Sequence, residues 1–103
     1  MNEIAFDSQI RDLVKLGGWD VAYHTFWSGH SAKGFPDWFL VRENRIVALE
    51  IKGTSGKLTD DQVMCLEFLR LTAKVETYAL WPEDSDLAVE ILKGEEANLN
   101  GNR

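Results

Sequence analysis

The alternation of apolar and polar positions along the chain predicts an α/β domain. Apolar residues recur at helical spacing in residues 3–16, where Ile10 and Val14 share one face, and again after Thr59. Short runs rich in aromatic and β-branched residues predict strands. These strands cover residues 19–27, 38–41, 46–49 and 75–81, and a short acidic helix is predicted over 84–92.

The two central strands are apolar at every position, with Trp38 and Leu40 on one face and Phe39 and Val41 on the other. Strands with this pattern are typical of sheets that are covered on both faces. The strand that follows the second long helix is expected to return parallel to a neighbour. We therefore predict a mixed central sheet of about four strands, flanked by helices.

The polar connection between the central strands predicts their register. A hairpin with Glu43-Asn44 at its tip pairs Arg42 with Arg45, and counting back from this pair places Asp37 opposite Glu50. A four-residue loop gives the same pairing, whereas a loop of odd length shifts it. Directly opposed strand residues have Cβ atoms about 4.5–5.5 Å apart, a separation at which like charges repel.

These two carboxylates predict a site for a divalent cation. Mg²⁺ prefers carboxylate and water oxygens together with substrate phosphate, and a cation converts the repulsion into coordination. Lys52 lies two residues beyond Glu50, so both side chains leave the same face of the sheet. The lysine is then placed to contact a phosphate or to position a water. Neither histidine has the spacing to another ligand that a zinc site requires.

The first helix directs two acids toward the sheet. Glu3 and Asp7 share a helical face with Ile10 and Val14, so either acid is a candidate to join the cation site. The pattern leaves the choice between them open. The alternative is that both acids only stabilise the helix N-terminus through its dipole.

The second helix carries one further candidate. Thr59 and Gln62 form a capping box, which by itself accounts for the glutamine. Gln62 also shares a helical stripe with Leu66, Leu69 and Ala73, which turns it inward at the edge nearest the lysine. The two roles are compatible.

Four short motifs resemble those of the PD-(D/E)-x-K nuclease superfamily. Pro36-Asp37 matches the first half of the motif, and Glu50-Ile51-Lys52 matches the second half. Within the superfamily the sequence is most similar to the virus-type replication-repair nuclease (VRR-NUC) domain, whose members add a small glycine-containing loop and a Leu-(Ser/Thr)-x-x-Gln helix start. These appear here as residues 53–57 and 58–62, and the resemblance spans residues 3–82.

The resemblance implies a restriction-endonuclease-like fold and a metal-dependent endonuclease that hydrolyses DNA phosphodiesters. It assigns metal-binding and catalytic positions to Asp37, Glu50 and Lys52, with Gln62 beside them and the backbone carbonyl of Ile51 as a further ligand for Mg²⁺ or Mn²⁺. It also implies a homodimer that acts on branched DNA, with four-way (Holliday) junctions as the leading substrate. The alternatives are a flap or single-strand nuclease of the same superfamily and, from another class, a catalytically silent DNA-binding or assembly module.

The charge of the chain limits how DNA can be bound. Eleven basic and 17 acidic residues give a formal charge of −6, which argues against a broad DNA-coating surface. A local basic face remains possible, and four residues in the loops beside the predicted site are candidate contacts to the DNA backbone. An ordinary surface connection is the alternative for these loops. The candidates are His30, Ser31, Lys33 and Lys57, and the wider basic set adds Arg11, Lys15, Arg42, Arg45 and Lys52.

Composition also restricts location and organisation. One cysteine, Cys65, excludes an internal disulfide, and its helical position predicts a buried thiol. The chain suits a reducing cytoplasm, and the resemblance to VRR-NUC domains implies a viral or bacterial source. Neither a signal peptide nor a membrane span is expected. One domain is predicted over residues 1–93, followed by a disordered tail over 94–103. Three tryptophans are candidates for a dimer interface, with core packing as the alternative: Trp19, Trp27 and Trp38.

Overall fold

A four-stranded mixed sheet flanked by helices forms the protein, and the computed structural model describes residues 1–25 and 32–93. The predicted α/β class and strand number are confirmed. In chain order the elements are α1 (Glu3–Leu16), β1 (Val21–His24), β2 (Trp38–Arg42), β3 (Arg45–Ile51), α2 (Asp60–Leu71), β4 (Glu76–Leu80) and α3 (Ser85–Leu92), with a short 3₁₀ turn (Pro82–Asp84) before α3.

The strand order is β1-β2-β3-β4. β1 pairs antiparallel with β2, and β2 pairs antiparallel with β3, whereas β3 and β4 are parallel, as predicted. Arg42 pairs with Arg45 and Trp38 pairs with Leu49, which confirms the predicted hairpin register. Continuing this register by one residue places Asp37 opposite Glu50.

One face of the sheet is covered by α1 and α3 and holds the core. Its central side chains are almost completely inaccessible because alternate strand residues point into the same layer. The largest contributions come from Phe6, Ile10 and Val14 of α1, Trp38, Leu40, Val47, Leu49, Ile51 and Leu80 of the sheet, and Ala88, Ile91 and Leu92 of α3.

The opposite face is covered unevenly. α2 packs against β4 on this side, but Val21 and Tyr23 of β1 are 50% and 52% exposed, and Ile46 of β3 is 38% exposed. The prediction that helices cover the sheet on both faces is therefore wrong for the β1–β2 half of this face. The apolar pattern shows which positions tolerate burial, but it does not show whether a helix of the same chain reaches them.

The ends of the predicted elements shift by a few residues. β1 begins at Val21 rather than at residue 19, and the predicted residues 26–27 lie outside the described ranges; β4 lacks both predicted end residues, 75 and 81. α2 ends at Leu71, so Ala73 lies beyond the helix and is exposed, which makes the predicted stripe wrong at its last position. Cys65 is half-buried rather than buried.

Arg42 closes the hairpin end of the sheet. Its side chain is 5% exposed, lies 4.2 Å from the Trp19 ring, and donates hydrogen bonds to the carbonyl oxygens of Gly17 and Lys93. The expectation that Arg42 contributes to a basic face is therefore wrong. Trp38 and Trp19 serve packing, while Trp27 lies outside the described residues.

Within residues 1–25 and 32–93, no helix combines the length and the apolar character that crossing a membrane requires. The predicted tail, residues 94–103, lies outside the described ranges.

Candidate active site

Glu50 is a buried carboxylate near the end of β3, with 2% of its surface exposed. Its Oε2 accepts a hydrogen bond from Gln62 Nε2 at 3.0 Å and lies 3.2 Å from Lys52 Nζ. Its Oε1 is buried and has no hydrogen-bond partner among the described residues. A buried, unpaired carboxylate oxygen costs free energy, so this position favours a proton or a cation.

Asp37 is fixed by the backbone on both of its sides. Its Oδ2 accepts a hydrogen bond from the Ile51 N–H at 2.8 Å, and its own carbonyl accepts from the Thr25 N–H at 2.7 Å. The Thr25 hydroxyl also donates to the Pro36 carbonyl at 2.6 Å. These bonds extend the sheet past its last formal pair, so the carboxylate is held at the position opposite Glu50.

Both carboxylates resist ionisation. Burial, reinforced by the charge of Asp37 and opposed by that of Lys52, raises the pKa of Glu50 to about 8. Burial also raises the pKa of Asp37 to about 6, although the Ile51 N–H lowers it and the acids of α1 raise it. A cation between these groups stabilises their charged forms, since opposite charge favours ionisation.

Glu3 and Asp7 differ in what they contact. Asp7 is 3% exposed, accepts a hydrogen bond from Trp38 Nε1 at 2.8 Å through Oδ1, and lies 2.9 Å from His24 Nε2 through Oδ2. Glu3 lies half-buried in the first turn of α1, and its charge raises the pKa of both Asp37 and Glu50. Asp7 therefore contacts β1 and β2 directly, and its charge raises the pKa of Asp37, whereas the charge of Glu3 raises the pKa of both site carboxylates.

Lys52 is 8% exposed and is packed beneath the loop that follows β3. A Cβ on Gly56 would lie 3.3 Å from both Cβ and Cδ of Lys52, so the glycine lets the backbone approach the lysine stem. Trp81 Nε1 donates a hydrogen bond to the Gly56 carbonyl at 2.8 Å and anchors the loop. The ammonium is thereby held beside Glu50.

Gln62 caps α2 and also contacts the site carboxylate. Its backbone N–H donates to the Thr59 hydroxyl at 3.1 Å, and its Oε1 accepts from the Thr59 N–H at 2.9 Å, which completes the capping box. The remaining donor, Nε2, contacts Glu50. The cap therefore orients the side chain that holds one oxygen of the site carboxylate.

The candidate DNA contacts are less closely tied to the site. Lys33 is 89% exposed at its side chain and pairs with Asp61 at 3.3 Å, and Lys57 is exposed. Gly34 has φ of +83°, and a Cβ there would lie 2.6 Å from the Asp61 backbone, so this loop is pressed against the start of α2. The candidates His30 and Ser31 lie outside the described residues.

Sequence reasoning missed four residues that support the site, three of which act across 11 to 31 residues of chain: Thr25, Trp38, Trp81 and, closer to its partner Lys52, Gly56. Gly56 carried the clearest pattern, since a second glycine in a five-residue loop indicates close backbone approach. The other three have the composition of ordinary strand residues.

The residues present fit a hard divalent cation. In the described ranges, no group of three or more His, Cys, Asp or Glu side chains is arranged to hold a metal ion. The protein instead offers two opposed carboxylates, one with a buried unpaired oxygen. Mg²⁺ and Mn²⁺ accept such partial sets because water and substrate oxygens complete their coordination, whereas a structural zinc site needs four protein ligands.

Compared with known proteins, the sequence matches no protein-family model and no curated protein.

Proposed function

We propose that the protein is a metal-dependent endonuclease that hydrolyses DNA phosphodiester bonds. One observation carries this proposal: Glu50 is clamped through Oε2 by Lys52 and Gln62, while its buried Oε1 has no partner and Asp37 is held opposite. A buried acid and a half-buried acid that repel one another, next to a buried lysine, conflict with ordinary core packing. Such conflicts are expected at functional sites.

The proposed ligands of Mg²⁺ or Mn²⁺ are the carboxylates of Asp37 and Glu50 and the backbone carbonyl of Ile51, which lies between Glu50 and Lys52 in the chain. Glu3 is the proposed additional acid from α1, because its charge acts on both carboxylates. When bound, the ion supplies Lewis-acid polarisation of the phosphate and a lowered pKa of its water.

The remaining residues orient the reactants. Lys52 is proposed to donate hydrogen bonds to a phosphate oxygen or to the attacking water, because the packed loop holds its ammonium at the site. Gln62 is proposed to keep the Glu50 carboxylate in one orientation. In the overall reaction a water adds its hydroxyl to phosphorus, the bond from phosphorus to the leaving oxygen breaks, and that oxygen takes up the proton.

The resemblance to VRR-NUC domains extends this proposal to fold, substrate and assembly. It supports a PD-(D/E)XK arrangement of the observed elements, branched DNA as the substrate class, and a homodimer that presents two sites to a symmetric four-way junction. The mixed sheet with a helix on each side is compatible with that fold.

A cleavage assay tests the proposal. Purified protein is incubated with Mg²⁺ and end-labelled four-way junction, flap, duplex and single-stranded DNA, with and without EDTA. We expect cleavage of at least one branched substrate, which EDTA abolishes. Glu50→Gln and Lys52→Met are expected to lower the rate by roughly 100-fold or more, the scale of removing one electrostatic stabiliser.

Matched surface variants control for nonspecific effects. Glu67→Gln changes an exposed acid of α2, and Lys74→Met changes an exposed lysine that follows α2. Both are expected to cleave like the unmodified protein. Absence of metal-dependent cleavage from every substrate, or full activity in both Glu50→Gln and Lys52→Met, would refute the proposed function.

A further inference from the structure

Three aromatic side chains line up on the open half of the sheet. Tyr23 of β1 pairs directly with Phe39 of β2, and the ring centroids of Phe39 and Phe35 lie 6.0 Å apart. Tyr23 is 52% exposed, while the two phenylalanines are half-buried. We refer to Tyr23, Phe39 and Phe35 as the aromatic row.

The aromatic row lies on the same face of the sheet as the candidate active site. Side chains alternate between faces, so Phe39 and Asp37 leave β2 on one side, and the register puts Tyr23 and Glu50 on that side as well. Phe39 and Asp37 are two strand residues apart, which is about 7 Å. That is the scale of one nucleotide in an extended single strand.

We propose that the aromatic row stacks unpaired bases of the DNA immediately beside the scissile phosphate. The inference rests on the proposed nuclease function and narrows its substrate to branched DNA that carries unpaired nucleotides next to the cleavage point, such as a fork or flap, in place of the fully paired four-way junction. Bases in an intact duplex already stack on their neighbours, so only unpaired bases offer a free face to an aromatic side chain. Aromatic platforms of this kind bind single strands with little sequence preference.

Exposed apolar surface of this kind can also bind a protein partner, in particular a second copy of the chain. Position argues for DNA, because the row runs directly into the carboxylates. A protein surface seated on Phe39 would also cover Asp37, about 7 Å away, and would block access of a phosphate. A flexible nucleic-acid strand contacts both positions at once.

The charges near the row predict weak salt dependence. The proposal assigns two lysines to this path: Lys33, which is two residues from Phe35 in the chain and pairs with Asp61, and Lys52, which lies beside Glu50. Each phosphate neutralised on a single strand contributes about −0.7 to the slope of log affinity against log salt. The expected slope is therefore roughly −1.4, much shallower than that of a protein that binds DNA through a basic surface.

Steady-state cleavage of a forked DNA with one single-stranded arm tests the row. Tyr23→Ala is expected to raise KM roughly 5- to 100-fold while kcat stays near that of the unmodified protein, because base stacking contributes to binding rather than to chemistry. Tyr23→Trp is expected to restore KM. Val21→Ala is the matched control, since Val21 lies on the same strand and face and is 50% exposed.

A fork with abasic nucleotides beside the cleavage point completes a double-mutant cycle. Removing the bases is expected to raise KM by a similar factor, and Tyr23→Ala is expected to add little on this substrate, because both changes remove the same contact. Equal effects of Tyr23→Ala on normal and abasic forks would overturn the inference. Equal cleavage of a fully paired duplex and of the fork would also overturn it, while leaving the nuclease function intact.

Two further measurements separate the remaining outcomes. Native mass spectrometry of Tyr23→Ala is expected to give the same oligomeric state as the unmodified protein, and a change would identify the face as a subunit interface and overturn the inference. Binding of a single strand that contains 2-aminopurine is expected to quench its fluorescence in the unmodified protein but not in Tyr23→Ala. This assay tests stacking even if no DNA is cleaved. Unchanged quenching in Tyr23→Ala would refute the proposal that the aromatic row stacks unpaired bases.

Discussion

Replacing Glu50 with glutamine should remove most of a pH-dependent loss of stability in the metal-free protein. Ionisation of Glu50 is unfavourable in the folded protein, where burial raises its pKa to about 8 from an ordinary value of 4.5. The contribution of neutral Glu50 to the free energy of unfolding is fully present below about pH 4.5, and it is lost as the pH rises through about 8. Glutamine resembles the neutral acid and does not ionise.

The expected size follows from proton linkage. Between these two pKa values the folded protein holds one proton more than the unfolded chain, so the free energy of unfolding falls by about 1.4 kcal/mol per pH unit. From pH 5 to pH 7 the difference between Glu50→Gln and the unmodified protein should grow by about 2–3 kcal/mol in favour of the variant. Asp37, whose pKa is raised to about 6, and His24, whose pKa is lowered by burial, titrate in both proteins. Their contributions largely cancel in the difference.

Urea unfolding in EDTA at several pH values between 5 and 8 measures this difference, with Glu67→Gln as the control for loss of an exposed acid. Adding Mn²⁺ should stabilise the unmodified protein more at pH 8 than at pH 6, because binding must displace a proton at the lower pH. A difference between Glu50→Gln and the unmodified protein that does not change with pH would refute the reasoning.

Two other predictions concern the supports of the site. Thr59→Ala removes the cap of α2 and should cost about 1 kcal/mol of unfolding free energy in urea. Gln62→Glu keeps an acceptor for the cap but loses the donor to Glu50, so it should lower the rate of metal-dependent cleavage while changing the free energy of unfolding little. A Gln62→Glu variant that is destabilised but cleaves at the unmodified rate would contradict a role for Gln62 at the site. Trp38→Phe leaves the buried Asp7 Oδ1 without its donor and should cost about 1–3 kcal/mol, and a loss below about 0.5 kcal/mol would show that this bond contributes little.

The relative positions of Asp37, Glu50 and Gln62 were predictable because they depend on short-range patterns. A two-residue hairpin tip fixes the pairing of Arg42 with Arg45, and strand alternation then determines where Asp37 and Glu50 lie. The direction of Gln62 followed from helical spacing for the same reason. These rules use only residues that are close in sequence or joined by one turn.

Other features depended on contacts that no local pattern encodes. Asp7 and Trp38 are separated by 31 residues, and no local pattern indicates the hydrogen bond that ties Asp7 to the start of β2. Arg42 has the composition of a surface hairpin residue, yet it is buried because Trp19 and two backbone carbonyls surround it. The sequence does not predict that one half of the sheet is exposed either, because exposed and covered strands share the same apolar pattern.

Titration of Mn²⁺ by isothermal calorimetry at pH 8 tests the central claim most directly, because it measures cation binding without any assumption about the DNA. The unmodified protein and Glu67→Gln should bind Mn²⁺ equally, and Asp37→Asn and Glu50→Gln should each lose most of that affinity while remaining folded by circular dichroism. Absence of binding to the unmodified protein, or undiminished binding to both site variants, would contradict a cation site formed by Asp37 and Glu50.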